Sequence, residues 1–253
     1  MSKNLKRKLK NKELTLGTWI TIAHPDVVEV LSTLPLDWMV FDLEHAPIDI
    51  STLEVLLMGV RNPDIATITR VPWNDMVFIK RVLDVGSTGI MVPWVNSRSE
   101  AENVVRYARY PPAGIRGVGP RRCILYGARD FLNYYRYFEA EELVISVQIE
   151  TKESIENVED IAATDGIDVL FVGPMDLTVN LGIPMQYDHP KYIEALQRIV
   201  KACQKYDKVS GIYAFDVDFA KKHIAMGFRF VSLMSDTSIL RSSMDKIIKE
   251  IEL

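Results

Sequence analysis

Charged side chains stand where short apolar runs of this sequence end. Asp42, His45, Arg70, Glu150 and Asp176 all occupy such positions, although they are widely separated along the chain. Charged groups are costly to bury unless they are paired or bind an ion. Carboxylates bind divalent cations, a guanidinium holds anionic oxygens through paired donors, and an imidazole exchanges protons near neutral pH. The set therefore indicates metal-assisted chemistry on an anionic substrate.

Glu150 and Asp176 are the predicted metal ligands. Two hard carboxylate oxygens, completed by waters, suit Mg²⁺, Mn²⁺ or Co²⁺ in an open octahedral site. A single nearby histidine and the lack of a nearby cysteine argue against structural zinc. The alternative is that each acid caps the helix that follows its strand.

Arg70 and His45 are the predicted catalytic groups. Arg70 ends an apolar run and is followed by Val71-Pro72, so its guanidinium emerges where a bound anion would lie. The alternative for Arg70 is an internal salt bridge to Asp42 or Glu44. His45 lies on a loop, and Asp42, three residues earlier, is predicted to orient its imidazole and stabilise the charged form.

These positions require a scaffold that brings separate strand ends to one place. Short apolar runs rich in β-branched residues alternate with helical patterns, which is the sequence form of βαβ units. Eight runs fit this description: Leu16–Thr21, Trp38–Asp42, Ala66–Arg70, Gly89–Val92, Val144–Ile149, Val169–Gly173, Val209–Tyr213 and Phe230–Leu233. Eight alternating units predict an α/β fold, a (β/α)8 TIM barrel whose strand C-termini share one mouth.

One connection is longer than a crossover helix requires. About fifty residues separate the fourth run from the fifth; they contain a predicted helix at Glu100–Arg109, a turn-rich Tyr110–Gly119 stretch and an aromatic segment from Tyr126 to Phe138. No linker rich in Gly or Ser divides the chain. We therefore expect one domain over residues 1–253, a barrel with an extended β4–β5 connection.

Composition agrees with an ordinary globular protein. Hydrophobic residues make up 48% and charged residues 25% of the 253 residues, and the net charge is −4. There is no strong basic field of the kind that nucleic-acid binding needs, no signal peptide and no run that could cross a membrane, so we expect a cytoplasmic protein. The basic run from Lys3 to Lys12 is predicted to be a solvated helix or a fraying arm.

The remaining histidines and the cysteines are predicted to be incidental to the chemistry. His24 precedes a proline and is expected to cap a helix, while His189 and His223 are expected to lie on the surface. Cys123 and Cys203 lack metal spacing and are expected to be reduced.

The motifs of this chain, taken in order, resemble those of one enzyme family. They are Gly17-Thr18-Trp19, Phe41-Asp42-Leu43-Glu44-His45-Ala46-Pro47, Arg70-Val71-Pro72, Leu83-Asp84-Val85-Gly86 with Gly89-Ile90-Met91-Val92-Pro93, Tyr110-Pro111-Pro112-Ala113-Gly114-Ile115-Arg116-Gly117, Gln148-Ile149-Glu150-Thr151 and Val172-Gly173-Pro174-Met175-Asp176-Leu177. The family is the metal-dependent pyruvate aldolases, which include 4-hydroxy-2-oxoheptane-1,7-dioate aldolase, 2-keto-3-deoxy-L-rhamnonate aldolase and 2-dehydro-3-deoxyglucarate aldolase. The resemblance covers nearly the whole chain.

The resemblance implies a reaction and a set of roles. The reaction forms or cleaves a 4-hydroxy-2-oxo acid from or to pyruvate and an aldehyde, through a pyruvate enolate stabilised by a divalent metal. The implied roles are metal binding by Glu150 and Asp176, proton transfer by His45 with Asp42, and substrate binding by Arg70, Gln148, Gly173, Pro174 and Trp19. A homo-oligomer, a trimer or a hexamer with swapped helices, is also implied.

Departures from the family pattern concern the aldehyde. Leu43 and Ile48 would make one wall of the mouth more apolar, and Arg121-Arg122 would place two cations near the extra loop. An acidic aldehyde and ordinary subunit contacts both explain these two arginines. Alternatives for the whole chain are a related lyase that acts on an acyl-CoA of the malyl-CoA or citryl-CoA type, and a non-catalytic barrel that binds a keto acid.

Overall fold

A computed structural model describes residues 3–251 and shows eight parallel strands closed into a barrel. The strands are β1 (Thr15–Ile20), β2 (Trp38–Asp42), β3 (Ala66–Arg70), β4 (Gly89–Val92), β5 (Val144–Gln148), β6 (Val169–Val172), β7 (Val209–Ala214) and β8 (Phe230–Ser235). Each strand pairs with its sequence neighbour, and β1 pairs with β8. The predicted (β/α)8 barrel is therefore confirmed.

Helices connect the strands around the outside of the barrel. They are α1 (Lys3–Lys10), α2 (Pro25–Leu31), α3 (Ile50–Met58), α4 (Met76–Asp84), α5 (Arg98–Ala108), α6 (Phe131–Glu141), α7 (Lys152–Glu156), α8 (Val158–Ala162), α9 (Pro174–Asn180), α10 (Pro190–Lys205), α11 (Val217–Met226) and α12 (Asp236–Ile251). Over the described range 3–251, none of these helices is long and apolar enough to cross a membrane.

Alternation along each strand separates two apolar layers. On β2, for example, Trp38 and Val40 belong to the layer inside the barrel, whereas Met39 and Phe41 pack against the helices. The Trp38 ring stacks on Phe230 across the interior at a centroid distance of 3.8 Å. This alternation decides which residue at each strand end points into the mouth.

Helix α1 covers the N-terminal end of the barrel. Leu5 and Leu9 are buried and belong to the interior layer. Lys6 is also buried, and its Nζ donates to the Leu143 carbonyl and to the Asp168 carboxylate, each at 2.7 Å. The expectation of a solvated or fraying arm is wrong for this helix, because its apolar residues close the bottom of the barrel and one of its lysines neutralises a carboxylate there.

The predicted extended β4–β5 connection forms a compact unit on the barrel's flank. It consists of α5, a short turn segment at Arg122–Gly127 and α6. Arg116 is its fully buried centre: its guanidinium lies 4.5 Å from the Tyr110 ring centroid and donates to Asp84 at 2.7 Å. One arginine therefore ties the connection to the end of α4.

Two expectations about single side chains have opposite outcomes. Both cysteines are buried and unpaired, as expected. His223 was expected on the surface, but it is fully buried, stacks on Phe219 at 4.0 Å and lies 2.7 Å from the Phe219 carbonyl through Nδ1. Burial lowers the pKa of His223. The sequence pattern missed this because the ring enters an aromatic cluster between α11 and the loops.

Candidate active site

With the exception of Glu150, which is buried, the predicted functional residues line one cavity at the C-terminal ends of the strands. Asp42, Arg70 and Gln148 end their strands in the same alternation as the interior layer, so their side chains point into the barrel mouth. The cavity has a volume of about 360 Å³. Its lining consists of Trp19, Thr21, Asp42, His45, Arg70, Gln148, Phe171, Gly173, Pro174, Met175, Asp176, Tyr213, Phe215, Ser235 and Ser238.

Arg70 is held by two carboxylates and an aromatic ring. Its Nε and Nη2 donate to the two oxygens of Asp42 at 2.9 and 2.7 Å, and its Nη1 lies 2.9 Å from Glu44 Oε2. The guanidinium carbon lies 4.4 Å from the ring centroid of Trp19. The salt-bridge alternative for Arg70 is therefore present in the structure, and the same contacts fix its guanidinium at the edge of the cavity.

Asp42 does not contact the imidazole of His45. Besides the bonds from Arg70, Asp42 Oδ1 accepts backbone N–H bonds from Glu44 and His45 at 3.0 and 3.3 Å. The His45 side chain is 67% exposed, and its Nε2 lies 3.9 Å from Glu44 Oε2. The expectation that Asp42 orients the imidazole is therefore wrong: Asp42 shapes the loop backbone and the arginine, and Glu44 is the carboxylate that faces His45.

Glu150 is a buried carboxylate, and two hydrogen bonds only partly offset the cost of burying its charge. It is 2% exposed, accepts a bond from the Trp94 backbone N–H at 2.9 Å and a second from Gln148 Nε2, also at 2.9 Å. Burial, with smaller contributions from the charges of Asp176 and Glu44, raises its pKa to about 7, although the backbone bond from Trp94 and the charge of Arg70 lower it. A bound cation would remove this penalty.

Glu150 and Asp176 face the same small space. A Cβ placed on Gly173 would lie 2.8 Å from Glu150 Oε2 and 3.5 Å from Asp176 Oδ2, so the glycine leaves room between the two carboxylates. In the described part of the chain, no three His, Cys, Asp or Glu side chains group to enclose a metal ion. The two carboxylates fit an open cation site, in which water or substrate would supply the other oxygens.

The residues expected to shape the aldehyde side lie elsewhere. Leu43 and Ile48 are buried and line a separate space of about 300 Å³ beside the mouth, because the β2–α3 loop turns them outward against α4. Arg122 donates to the Val85 carbonyl at 2.9 Å, and Arg121 lies over the Tyr126 ring. Arg122 begins the turn segment and Arg121 directly precedes it, near the N-terminal end of β4. Within this chain they provide no cation at the mouth for an acidic aldehyde or a nucleotide.

His24 and His189 cap helices. His24 Nδ1 accepts from the Asp26 backbone N–H at 3.3 Å at the start of α2, as expected. His189 does the same for Lys191 at the start of α10, at 3.2 Å. Neither imidazole lines the mouth.

Sequence reasoning missed the hydroxyl groups of the mouth. Thr21, Tyr213, Ser235 and Ser238 line the sector between β7, β8 and β1, and we call them the hydroxyl wall. The rule that strand ends carry function would have found Thr21 and Tyr213, since both end predicted strands. No sequence signal identifies Ser235, because an irregularity in β8 sets its direction.

Comparisons with known proteins agree on one family. Residues 15–243 match the model of the HpcH/HpaI aldolase/citrate lyase family. The chain is 39% identical over 244 residues to 5-keto-4-deoxy-D-glucarate aldolase of Shigella dysenteriae serotype 1 (strain Sd197), covering 96% of this chain and 94% of that protein. It is similar over 100% of both chains to a HpcH/HpaI aldolase/citrate lyase family protein from Burkholderia cenocepacia J2315, with a TM-score of 0.93 and 30% identity. It also resembles the HpcH/HpaI aldolase from Desulfitobacterium hafniense DCB-2, with a TM-score of 0.91, 30% identity and coverage of 98% and 97% of the two chains.

Proposed function

The chain belongs to the HpcH/HpaI aldolase/citrate lyase family and is a pyruvate aldolase, and we propose that its mouth cleaves a hydroxylated 4-hydroxy-2-oxo acid with the help of a divalent cation. The observation that carries the proposal is that Asp176 and Arg70 line one cavity, while the buried carboxylate of Glu150 shares with Asp176 the space beside Gly173. Among the described residues no salt bridge reaches Glu150 or Asp176, and Arg70, on the lining of the cavity, can hold a developing anion.

The first substrate to test is 5-keto-4-deoxy-D-glucarate. Relatives that are 38–39% identical to this chain over 96% of its length carry that substrate in their names. Such a compound breaks between the carbon next to the keto-bearing carbon and the carbon that carries the neighbouring hydroxyl. The hydroxyl loses its proton, the new carbonyl forms, and the bonding electron pair passes to the pyruvate portion, whose carbon then takes up a proton to become the methyl group of pyruvate.

Glu150 and Asp176 are the residues that would hold the cation, which would be Mg²⁺, Mn²⁺ or Co²⁺ given the hard oxygen donors. When bound, a divalent cation supplies Lewis acidity toward the oxygens of a 2-oxo acid. The Trp94 N–H and the Gln148 amide hold the Glu150 carboxylate in place through bonds of 2.9 Å each. These two bonds preorganise one ligand before the cation arrives.

Arg70 is proposed to stabilise the negative charge that develops on the pyruvyl oxygen. Asp42, Glu44 and Trp19 fix its guanidinium, so little reorganisation is needed when the charge forms. Gln148 lines the same cavity and has an Oε1 without a partner among the described residues, so it can accept a bond from substrate. At the start of α9 Gly173 has no capping side chain, and the free N–H groups there would hold the carboxylate of pyruvate.

His45 is proposed to move protons at the mouth. Its imidazole is exposed at the rim, within 3.9 Å of Glu44, and it lines the cavity. The imidazole would take the proton from the substrate hydroxyl in cleavage and return it in synthesis. In this arrangement Glu44, and not Asp42, is the carboxylate that faces the imidazole.

Removal of the metal tests the cation site. We expect EDTA to abolish pyruvate release from 5-keto-4-deoxy-D-glucarate, and Mg²⁺, Mn²⁺ or Co²⁺ to restore it. Full activity in chelator would exclude the metal role of Glu150 and Asp176.

Deuterium exchange tests Arg70 without an aldehyde. We expect the chain to exchange the methyl protons of pyruvate in D₂O, followed by NMR, and Arg70→Ala to lose this exchange. Arg61→Ala is the matched control, because Arg61 pairs with Glu29 on the surface at 2.9 Å and its side chain is 68% exposed. Unchanged exchange in folded Arg70→Ala would remove Arg70 from the mechanism.

A homo-oligomer is proposed from the exposed face of α12. Large apolar side chains at helical spacing remain 47% to 72% exposed there: Leu240, Met244, Ile247, Ile248 and Ile251. A second copy of the chain would cover this face in a trimer or hexamer. Light scattering after size exclusion measures the mass, and a monomer at micromolar concentration would refute the proposal.

A further inference from the structure

The β8 strand carries a bulge at the point where it reaches the mouth. In its pairing with β1, Gly17 stands opposite Ser232, but Trp19 stands opposite Ser235, so β8 has one extra residue in this interval. Met234 adopts a left-handed backbone with φ of 55°, which is unusual for a residue with a side chain. Thr18 Oγ1 lies 3.0 Å from the Leu233 carbonyl and 3.3 Å from the Met234 carbonyl, and it supports the bulge.

The bulge changes which β8 side chain faces the cavity. Phe230 and Ser232 occupy the interior alternation of β8, so in a regular strand Ser235 would point toward the helices. The extra residue restores Ser235 to the interior side beside Trp19, and Ser235 lines the cavity. Strained backbone that re-aims one side chain is frequent next to active sites.

Hydrogen bonds hold members of the hydroxyl wall in place. Ser235 Oγ donates to Ser238 Oγ at 2.9 Å, and Tyr213 lines the same sector of the cavity. Thr21 Oγ1 donates to Asp236 Oδ1 at 2.5 Å, and it lies 3.2 Å from Thr237 Oγ1.

Asp236 fixes the direction of the threonine proton. This buried carboxylate also accepts the backbone N–H groups of Thr21, Ile22 and Thr237, each at 2.8 Å. Since an ionised carboxylate only accepts, the proton of Thr21 points toward it. Thr237 Oγ1, at 3.2 Å, can donate to one lone pair of Thr21 Oγ1, and the other lone pair can accept from a ligand such as an alcohol.

The wall lies in a different sector from the charged groups. In the closed barrel β7, β8 and β1 lie between β6, which leads to Asp176, and β2, which ends at Asp42. Pyruvate is proposed to bind near Glu150, Asp176 and Arg70, so the remaining part of the substrate extends along another wall. Neutral hydroxyls suit alcohol groups, since each hydroxyl both donates and accepts.

We propose that Thr21, Tyr213, Ser235 and Ser238, assembled by the β8 bulge at Met234, bind the hydroxyl groups of the aldehyde portion and select polyhydroxylated substrates over deoxygenated ones. The wall can act in this way only if the chain performs the proposed aldol reaction. A buried site that bonds a substrate hydroxyl discriminates strongly against an analogue that lacks it, because its own polar groups are left unpaired.

A comparison of two aldehydes as substrates tests the proposal. Pyruvate is condensed with D-glyceraldehyde and, separately, with propanal, which has the same carbon chain without the two hydroxyls, and kcat/KM is measured for each. We expect the wild-type chain to prefer glyceraldehyde at least tenfold. Thr21→Val keeps the shape but removes the hydroxyl, and we expect it to lower this preference about threefold to tenfold. Thr21→Ser restores a hydroxyl and is expected to retain the preference.

Ser238→Ala is an independent variant with a matched control. It should also lower the preference, whereas Ser242→Ala, one turn further along α12 and outside the cavity, should not. A preference that is absent in the wild type, or unchanged in both Thr21→Val and Ser238→Ala, overturns the role of the wall. Deuterium exchange into pyruvate by the wild-type chain distinguishes failure of the hydroxyl wall from failure of the proposed aldol reaction. Absence of exchange in the wild type would refute the aldol reaction itself.

Discussion

Replacement of Glu150 by glutamine is expected to stabilise the metal-free protein and to abolish its response to divalent cations. Glu150 is 2% exposed, and burial with the nearby charges of Asp176 and Glu44 raises its pKa from 4.5 to about 7. The folded state therefore favours the protonated form. Stability linked to this group is fully present below pH 4.5 and is lost as the pH rises toward 7.

The size of the effect follows from the shift. A rise from 4.5 to about 7 at about 1.4 kcal/mol per unit corresponds to about 3 kcal/mol lost at pH 8. Glutamine carries no charge, so the variant avoids this loss. Its oxygen can still accept from the Trp94 N–H, and the unpartnered Oε1 of Gln148 can accept from the new amide if the Gln148 side chain turns over.

Thermal unfolding at pH 8 in EDTA measures the difference. For a chain of this size about 3 kcal/mol corresponds to roughly 6–12 °C in Tm. Added Mn²⁺ should raise the Tm of the wild type and leave that of Glu150→Gln unchanged. Glu142→Gln is the matched control: Glu142 is equally buried but bonds Arg129 at 2.7 Å, so this variant should be less stable than the wild type.

The result that refutes the reasoning is a Glu150→Gln chain that melts at or below the wild-type temperature in EDTA at pH 8. A second check is the dependence of Tm on pH. The wild type should lose stability between pH 5 and pH 8 relative to the variant, and parallel curves for the two chains would show that the fold does not raise the pKa of Glu150.

Three further expectations follow from single contacts. Gly173→Ala should weaken Mn²⁺ binding at least tenfold in calorimetry, since its Cβ would lie 2.8 Å from Glu150 Oε2; equal affinity would show that the space is not used. Arg70→Met should cost about 3–5 kcal/mol in urea unfolding, because it leaves Asp42 buried and unpaired, and Asp42→Leu in the same chain should recover most of the loss. His223→Leu should flatten the fall of stability below pH 6.5, because burial lowers the pKa of this imidazole and the unfolded chain takes up its proton first. The slope removed is at most about 1.4 kcal/mol per pH unit. An unchanged slope would exclude His223 as a cause of the fall in stability.

Alternation and element order were readable from the sequence. The eight apolar runs correspond to the eight strands; the bounds of β2, β3 and β4 are identical, and the others differ by one or two residues. Because parallel strand ends meet in a barrel, Asp42 and Arg70 could be assigned to one mouth before their partners were known, whereas Gln148 was implied only by the resemblance to a family. The resemblance of the motifs then indicated the family that the comparisons show.

The partners of the side chains were decided by tertiary structure. Asp42 is close enough to His45 in sequence to contact it, but the guanidinium of Arg70 on β3 donates to both carboxylate oxygens of Asp42. His223 looked exposed until packing between α11 and neighbouring aromatic rings buried it. Such contacts depend on where loops run, and loop paths have no periodic signal.

The hydroxyl wall shows most clearly which features the sequence determined and which only the tertiary structure decided. The sequence placed Thr21 and Tyr213 at predicted strand ends, within one residue of the ends of β1 and β7, since strand ends follow from the hydrophobic pattern. Only the folded barrel decided that Ser235 joins them, because one extra residue in β8 reverses the side that every later side chain faces. The physical reason is that a bulge exists only in the pairing of two strands, and that pairing is a property of the closed barrel.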